Sequence, residues 1–162
     1  MPRYASAMSN RLAMLTITGF HRAVLRLTRG RLGGSLGGMP VIDLTTVGRS
    51  SGLARTTILT VPHREPMPSG DERLIVIASR GGDDAQPAWY LNLVAEPTVK
   101  VAKMGGHPQP YRARTADATE RARLWPLAVR SYRGYAAYQR KTAREIPVVI
   151  LEPAPASLDA SD

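Results

Sequence analysis

Four short blocks in fixed order carry the side chains able to do chemistry. The first is Thr45-Thr46-Val47-Gly48-Arg49-Ser50-Ser51-Gly52, with Arg55 just beyond it. Backbone amides in such a glycine-bracketed turn can converge on an oxyanion, and the serine hydroxyls add donors. Arg49 and Arg55 offer forked, charge-assisted bonds to phosphate or carboxylate. The plain alternative is a hairpin turn with exposed arginines. The second block, Ala78-Ser79-Arg80-Gly81-Gly82, follows an apolar run. Its glycines permit close backbone approach and Arg80 adds a third cation; the alternative is a flexible loop. The third block is Pro87-Ala88-Trp89-Tyr90-Leu91-Asn92-Leu93. Trp89 and Leu93 stand four apart and share a core-facing side, so Trp89 reads first as core packing. Tyr90 and Asn92 project differently and could reach a ligand edge, where the amide of Asn92 reads donors and acceptors of a heterocycle. The last block is Tyr132, Tyr135 and Tyr138. On one helix these share an arc of about 120°, a flat aromatic wall with hydroxyls at its edge or a half-buried helix face. Together the blocks suit an anionic, aromatic redox cofactor.

The elements that must position these blocks follow from periodicity and breakers. Ser9 to Arg29 reads as an amphipathic helix. Ala13, Ile17, Phe20, Val24 and Leu27 form its apolar stripe, with Arg11, Arg22, Arg26 and Arg29 opposite. It either packs on the body, lids a site or lies on an anionic membrane. Gly30 to Gly38 reads as a flexible connector, so residues 1–38 form an N-terminal segment and 39–153 the cofactor-binding body. Val41–Val47 and Arg55–Val61 read as a hairpin across the first glycine turn. Pro62, Pro66, Pro68 and Gly70 mark an exposed loop, and Leu74–Ala78 a buried strand. Pro87–Val94 suggests a short helix; Val99–Met104 and Tyr111–Thr115 flank Gly105-Gly106 as a second hairpin. Asp117 and Glu120 form a capping box for a helix through Arg130, which Pro126 should bend or restart. Gly134–Ala143 carries a further helical segment, Ile146–Leu151 the last strand, and residues 154–162 a disordered tail. About six mainly antiparallel strands with peripheral helices predict an α+β protein built on a split β-barrel. The order is not regular βαβ, and neither G-x-G-x-x-G nor a Walker-type phosphate loop occurs.

Composition narrows the chemistry. The chain has 162 residues, 43% hydrophobic, with net charge +9, enough for one well-packed domain with an anionic partner. The absence of cysteine excludes disulfides, thiolate catalysis and Cys-ligated metal centres. His21, His63 and His107 make no metal-ligand spacing. No apolar run reaches the ~18 residues of a membrane span, and no signal-peptide pattern opens the chain. A cytoplasmic location is expected, with peripheral contact at the inner face of the cell membrane through the basic helix as its variant. No helix-turn-helix or RNP-type motif supports nucleic-acid binding.

The order of blocks resembles the deazaflavin-dependent nitroreductases of actinobacteria, the F420H2-dependent quinone reductase family. The matching text is Leu44-Thr45-Thr46 through Gly48-Arg49, Gly52 and Arg55; Ala78-Ser79 with Gly81-Gly82; Pro87, Trp89 through Leu93 and Pro97; Leu124-Trp125-Pro126; the three tyrosines; and Ile146-Pro147-Val148-Val149 ending in Glu152-Pro153. It covers about Gly33 to Pro153. The resemblance implies a split barrel that binds coenzyme F420, whose phosphodiester and oligoglutamate tail would meet Arg49, Ser50, Arg55 and Arg80. It lays Thr57, Ser79, Gly81, Ala88, Trp89, Tyr90 and Asn92 along the ring and linker. Ser79 with Tyr132, Tyr135 and Tyr138 would face the substrate. This chain departs from the family pattern at Ser50, where a lysine is common, and at Thr60, where a tyrosine or another large residue is common.

The implied activity is hydride transfer from reduced F420 to a planar electrophile: a quinone, an activated enone or a nitroaromatic. Ser79 or a tyrosine hydroxyl would hydrogen-bond negative charge developing on the substrate oxygen. FMN is the alternative cofactor, since split barrels also hold FMN, but it lacks the tail that the arginines suit. A non-catalytic module that only binds F420 or anionic lipid is the alternative from another class.

Overall fold

The computed structural model describes residues 35–36 and 38–155. The helix expected over residues 9–29 and the tail from residue 156 lie outside them. The described strands are β1 (Ser35–Leu36), β2 (Met39–Val47), β3 (Ala54–Thr60), β4 (His63–Pro66), β5 (Glu72–Ile77), β6 (Thr98–Lys103), β7 (Gln109–Thr115) and β8 (Val148–Pro153). The described helices are α1 (Ala88–Ala95), α2 (Ala118–Ser131) and α3 (Gly134–Lys141), with a single 3-10 turn at Arg80–Gly82. Every strand pair is antiparallel.

The sheet runs β1-β2-β6-β7-β8-β5-β4, with β3 on β2. Only Val61 and Pro62 separate β3 from β4, yet β3 pairs with β2 and β4 with β5, at the far end of the sheet. One stretch of chain therefore changes partners midway and closes a barrel, the split barrel expected from the sequence. Pro62 marks the break because it cannot donate to a ladder. The Val61 N–H donates instead to Pro40 O (2.8 Å), and the Ser131 hydroxyl donates to Pro62 O (2.6 Å), tying the break to α2.

Strand alternation sorts the core into two layers. Ile42, Leu44, Leu74, Val76, Val99, Val101, Tyr111, Ala113, Val149 and Leu151 fill the barrel. Ile75, Ile77, Val148 and Ile150 point out from β5 and β8 and pack with Leu124, Ala128 and Tyr135 of α2 and α3. Helices cover the outer face of β5 and β8, which explains their nearly continuous apolar runs. Trp89 and Leu93 of α1 join the barrel layer. This is the packing that their i, i+4 spacing predicts.

The departures from sequence expectation have local causes. The stretch read as an exposed loop contains β4, whose four residues pair with Glu72–Ile75 despite the neighbouring prolines. Pro66 ends the strand, where a missing donor matters least. Glu65 of β4 also meets Arg123 of α2. The connector read over Gly30–Gly38 holds β1, which pairs with the start of β2. Pro153 belongs to β8, and the Ala154 N–H donates to Pro110 O (3.0 Å), so the ordered body runs past the expected end of its last strand. The capping box forms: the Glu120 N–H donates to Asp117 Oδ1 (2.8 Å), and the Asp117 N–H donates to Glu120 Oε2 (3.0 Å). α2 continues through Pro126, which removes only the donor that would have met the Ala122 carbonyl.

Candidate active site

The Gly48–Gly52 turn is closed by its own backbone. The Gly48 N–H donates to Leu53 O (2.8 Å), and the Gly52 N–H donates to Gly48 O (2.7 Å). Gly52 lies at φ 68°, open to glycine at no steric cost. Arg49 and Ser50 sit exposed at the tip, and Arg55 stands exposed beside them on β3. Among the described residues no carboxylate pairs with Arg49 or Arg55. Two uncompensated guanidinium groups beside the Ser50 N–H, the one amide of Gly48–Gly52 without a partner among the described residues, are a donor set for an anion.

Asn92 holds this turn from beneath. It is 5% exposed, and its Nδ2 donates to Thr46 Oγ1 (3.2 Å). Its Oδ1 accepts from the Arg49 N–H (3.2 Å) and from Arg49 Nη1 (3.4 Å). The sequence reading sent Asn92 to a ligand edge. The structure turns it inward, because every polar atom of its amide finds a partner between α1 and β2. Tyr90 is half-buried, with its hydroxyl within 3.0 Å of Thr115 Oγ1. Trp89 is 8% exposed and meets Tyr90 edge-on, so it supports the site from within the core. Ala88 is exposed at the start of α1. Thr57 pairs with Leu44 and is half-buried on the same face as the barrel core.

The second loop turns on three consecutive left-handed residues: Arg80 (φ 46°), Gly81 (φ 67°) and Gly82 (φ 84°). Ser79 before them is right-handed. A right-handed residue followed by a left-handed one turns successive N–H groups to one side, an amide concavity suited to partial negative charge. Arg80 adopts this geometry without being glycine, at a cost of about 1–2 kcal/mol. Its guanidinium is held in its own loop, by Asp83 Oδ2 (3.5 Å) and Gln86 O (3.2 Å). Unlike Arg49 and Arg55, then, Arg80 has an acid partner. Gln86 leads through Pro87 into α1, so α1 joins the two loops: its start follows Ser79–Gln86 and its last turns hold Gly48–Gly52.

The three tyrosines come together, but not as a flat wall on one helix. Tyr132 is the extended residue that ends α2, whereas Tyr135 and Tyr138 lie on α3. Tyr132 and Tyr135 meet at 87°, Tyr135 and Tyr138 at 74°, with centroids 5.2 and 6.4 Å apart. Tyr132 and Tyr138 share a hydrogen bond between hydroxyls (3.2 Å). Tyr135 is 5% exposed, its hydroxyl 3.1 Å from Thr60 Oγ1; Tyr132 is 40% exposed. Tyr135 is thus the buried support of the cluster, and Tyr132 and Tyr138 present its reachable hydroxyls. Burial raises the Tyr135 pKa, opposed by the Thr60 hydrogen bond. Tyr138 is raised first by its hydrogen bond with Tyr132 and then by burial. Both phenols therefore stay protonated at neutral pH and can donate.

Three positioning features had no signal in residue spacing. A Cβ on Gly134 would fall inside the ring of Tyr132, so this glycine lets the ring fold back over the start of α3. A Cβ on Gly82 would lie 2.6 Å from Tyr138 O, so the Ser79 loop presses on α3. Arg144, in the link between α3 and β8, donates to Ser79 O (2.9 Å) and Asp83 O (2.8 Å).

Known proteins resemble this chain along most of its length. Residues 16–153 match the family described as F420H(2)-dependent quinone reductase. An F420H(2)-dependent quinone reductase of Mycobacterium tuberculosis is 38% identical over 137 residues, spanning 81% of this chain and 86% of that relative. The solved structure of an F420-H2 dependent reductase (FDR-A) is 39% identical, with TM-score 0.58, over 70% of this chain and 94% of that one. A solved domain-swapped dimer is 34% identical, with TM-score 0.60, over 82% and 96% of the two chains. With such agreement along most of its length, the chain belongs to the F420H(2)-dependent quinone reductase family.

Proposed function

We propose that this chain binds F420 across α1, with the anionic phosphodiester and glutamate tail at Arg49, Ser50 and Arg55 and the ring beside Ser79–Gly82. The substrate is a planar quinone taken at Tyr132 and Tyr138; activated enones and nitroaromatics share its flat, electron-poor form. The observation that carries the reading is the uneven charge at the two ends of α1. Arg49 and Arg55 lack carboxylate partners among the described residues, whereas Arg80 is paired with Asp83. A ligand with one anionic end and one flat, weakly charged end fits that asymmetry.

Bound F420 in its reduced form supplies the hydride. The residues of this chain do the rest. Arg49, Arg55 and the N–H and hydroxyl of Ser50 fix the anionic groups. Gly81 allows close backbone approach, and the amide concavity at Ser79–Gly81 faces partial negative charge. Of the Tyr132–Tyr138 pair, one hydroxyl donates to the other, leaving one proton at Oη free to point outward. That proton and the Ser79 hydroxyl meet charge developing on the substrate oxygen. Trp89 and Tyr90 seat α1, and with it both loops, on the barrel core.

The test is a fluorescence titration with F420 and, separately, with FMN, followed by turnover of F420H2 with a quinone, an enone and a nitroaromatic. Tight F420 binding, weak FMN binding and fastest turnover with the quinone are expected. Equal affinity for the two cofactors would remove the role given to the tail. Among the described residues no helix is long and apolar enough to cross a membrane. Contact of the arginine-rich sequence of residues 9–29 with an anionic membrane, where a lipophilic quinone would reside, belongs to the same proposal. Co-sedimentation of the full chain with vesicles containing anionic lipid tests it; no binding at low salt would refute it.

A further inference from the structure

Arg144 lies outside every motif that carries the family resemblance, yet it has the densest set of bonds around the site. Its Nη2 donates to Ala78 O (3.3 Å) and Ser79 O (2.9 Å). Its Nε donates to Asp83 O (2.8 Å), and its Nη1 to Gln86 Oε1 (2.9 Å). Four acceptors spread along one loop thus converge on one planar fork, a geometry that a lysine ammonium cannot match. Ser79 gives its carbonyl to this staple, and its hydroxyl stays outside it.

Neighbouring bonds extend the staple. The Arg144 N–H donates to Thr142 Oγ1 (3.3 Å), and the Thr142 hydroxyl donates to Asp84 Oδ1 (2.7 Å). The Ala78 N–H donates to Pro147 O (3.0 Å). Gly82 packs against the Tyr138 backbone, where any side chain would collide. Residues 78–86 are therefore fastened to residues 138–147 at both ends and in the middle. The first segment carries Ser79; the second begins with Tyr138.

We propose that Arg144 is a positioning residue for the reaction, locking the Ser79 loop and the tyrosine-bearing α3 into one unit. This rests on the functional reading above, in which Ser79 and the Tyr132–Tyr138 pair act on the same substrate oxygen. Two donors aimed at one atom need a fixed separation. A misplacement of about 1 Å costs on the order of 100-fold in rate. The anion turn lies at the other end of α1 and is held by Asn92, so loss of Arg144 lowers F420 affinity far less than it lowers the rate.

The experiment uses the full chain as wild type, Arg144→Lys and Arg144→Ala, with Thr142→Val as a milder break of the same staple. Amide hydrogen exchange is read without cofactor over residues 78–86 and 138–147. F420 affinity is read by fluorescence, and kcat and KM with a quinone. Exchange should rise in both segments together in each variant. In Arg144→Lys, kcat should fall about 100-fold, with F420 affinity within about fivefold of wild type, under ~1 kcal/mol. Added methylguanidinium should restore part of the rate of Arg144→Ala. Exchange that rises in 78–86 alone would overturn the coupling. A loosened loop with unchanged kcat would overturn the positioning role. Should Arg144→Ala fail to fold, Arg144→Lys and Thr142→Val decide the same two points. If wild type does not oxidise F420H2, the functional reading and the positioning role fall together, while exchange still decides whether the two segments are one unit.

Discussion

Replacing Asn92 by alanine separates the anion turn from the rest of the fold. The side chain links α1 to β2 through Thr46 and to the turn through Arg49. Thr46 is 1% exposed and keeps only a longer bond to Arg55 O (3.4 Å). Three hydrogen bonds are lost; the two at 3.2 Å are worth about 1 kcal/mol each and the longer one to the exposed Arg49 guanidinium little, so with a small cavity the cost is roughly 2–3 kcal/mol. For a body of this size about 1 kcal/mol corresponds to ~4 °C, so the melting temperature should fall by roughly 8–12 °C. Without this anchor the turn and the Arg49 guanidinium lose their fixed position, and F420 affinity should drop by about 5–30-fold, or ~1–2 kcal/mol. Asn92→Asp is the sharper control. Its carboxylate still accepts from the Arg49 N–H, so it should melt above Asn92→Ala. It also neutralises the Arg49 guanidinium, so it should bind F420 more weakly than Asn92→Ala. Differential scanning calorimetry and F420 fluorescence titration read the two effects. A lower melting temperature with F420 affinity within twofold of wild type in both variants would refute the reasoning.

Other perturbations act on single links of the same chain of argument. Gly134→Ala should cut quinone turnover without raising thermal stability, because a Cβ at the first residue of α3 drives the Tyr132 ring off Tyr135 and Tyr138. Unchanged turnover would show that the ring position is irrelevant. Trp89→Ala should cost about 3–5 kcal/mol, read by urea denaturation, as expected of a core aromatic. Glu120 is held down to about 2 from 4.5, first by its bond to Arg114 and then by the Asp117 N–H, against desolvation. A carboxylate lowered in the folded state stabilises it above the unfolded value and loses that contribution as pH falls through the folded value. The wild-type melting temperature should therefore decline between about pH 4.5 and 2 more steeply than that of Glu120→Gln; identical profiles would remove the Arg114 bond from the account.

Much of the architecture was legible because several local signals agreed. Glycine brackets gave both hairpins, and the Asp117–Glu120 spacing gave the start of α2. The apolar runs at Leu74–Ala78 and Ile146–Leu151 gave the strands buried on both faces. What was missed depends on contacts distant in sequence. β4 could not be seen among prolines, because its partner β5 and its ion pair with Arg123 decide it. Tyr132, Tyr135 and Tyr138 fit helical spacing, but the break at Tyr132 and the bare Cα of Gly134 turn the expected wall into an edge-to-face cluster. Asn92 has the chemistry of a ligand reader, and only the meeting of α1 with Thr46 and Arg49 shows it turned inward. Arg144 gives no periodic or motif signal; its bonds span 58 to 66 residues.

The devices that hold the two loops differ in charge, and that difference bears on how a ligand lies. Gly48–Gly52 is held by a neutral amide, so Arg49 and Arg55 keep their full charge at one end of α1. An aspartate at position 92 would make the same backbone bond and cancel half of it. At the other end Arg80 and Arg144 lie among Asp83 and Asp84, and Asp83 pairs with Arg80. Two cations against two anions leave that loop near neutrality while its carbonyls are tied down. Of these two loops the anion turn is thus the more positive. The Ser79 loop contributes geometry: amide donors, a hydroxyl outside the staple and a fixed relation to Tyr138. On the proposed reading an anionic tail would be drawn to one end by Coulomb attraction and a flat ring left at the other, where orientation matters more than charge.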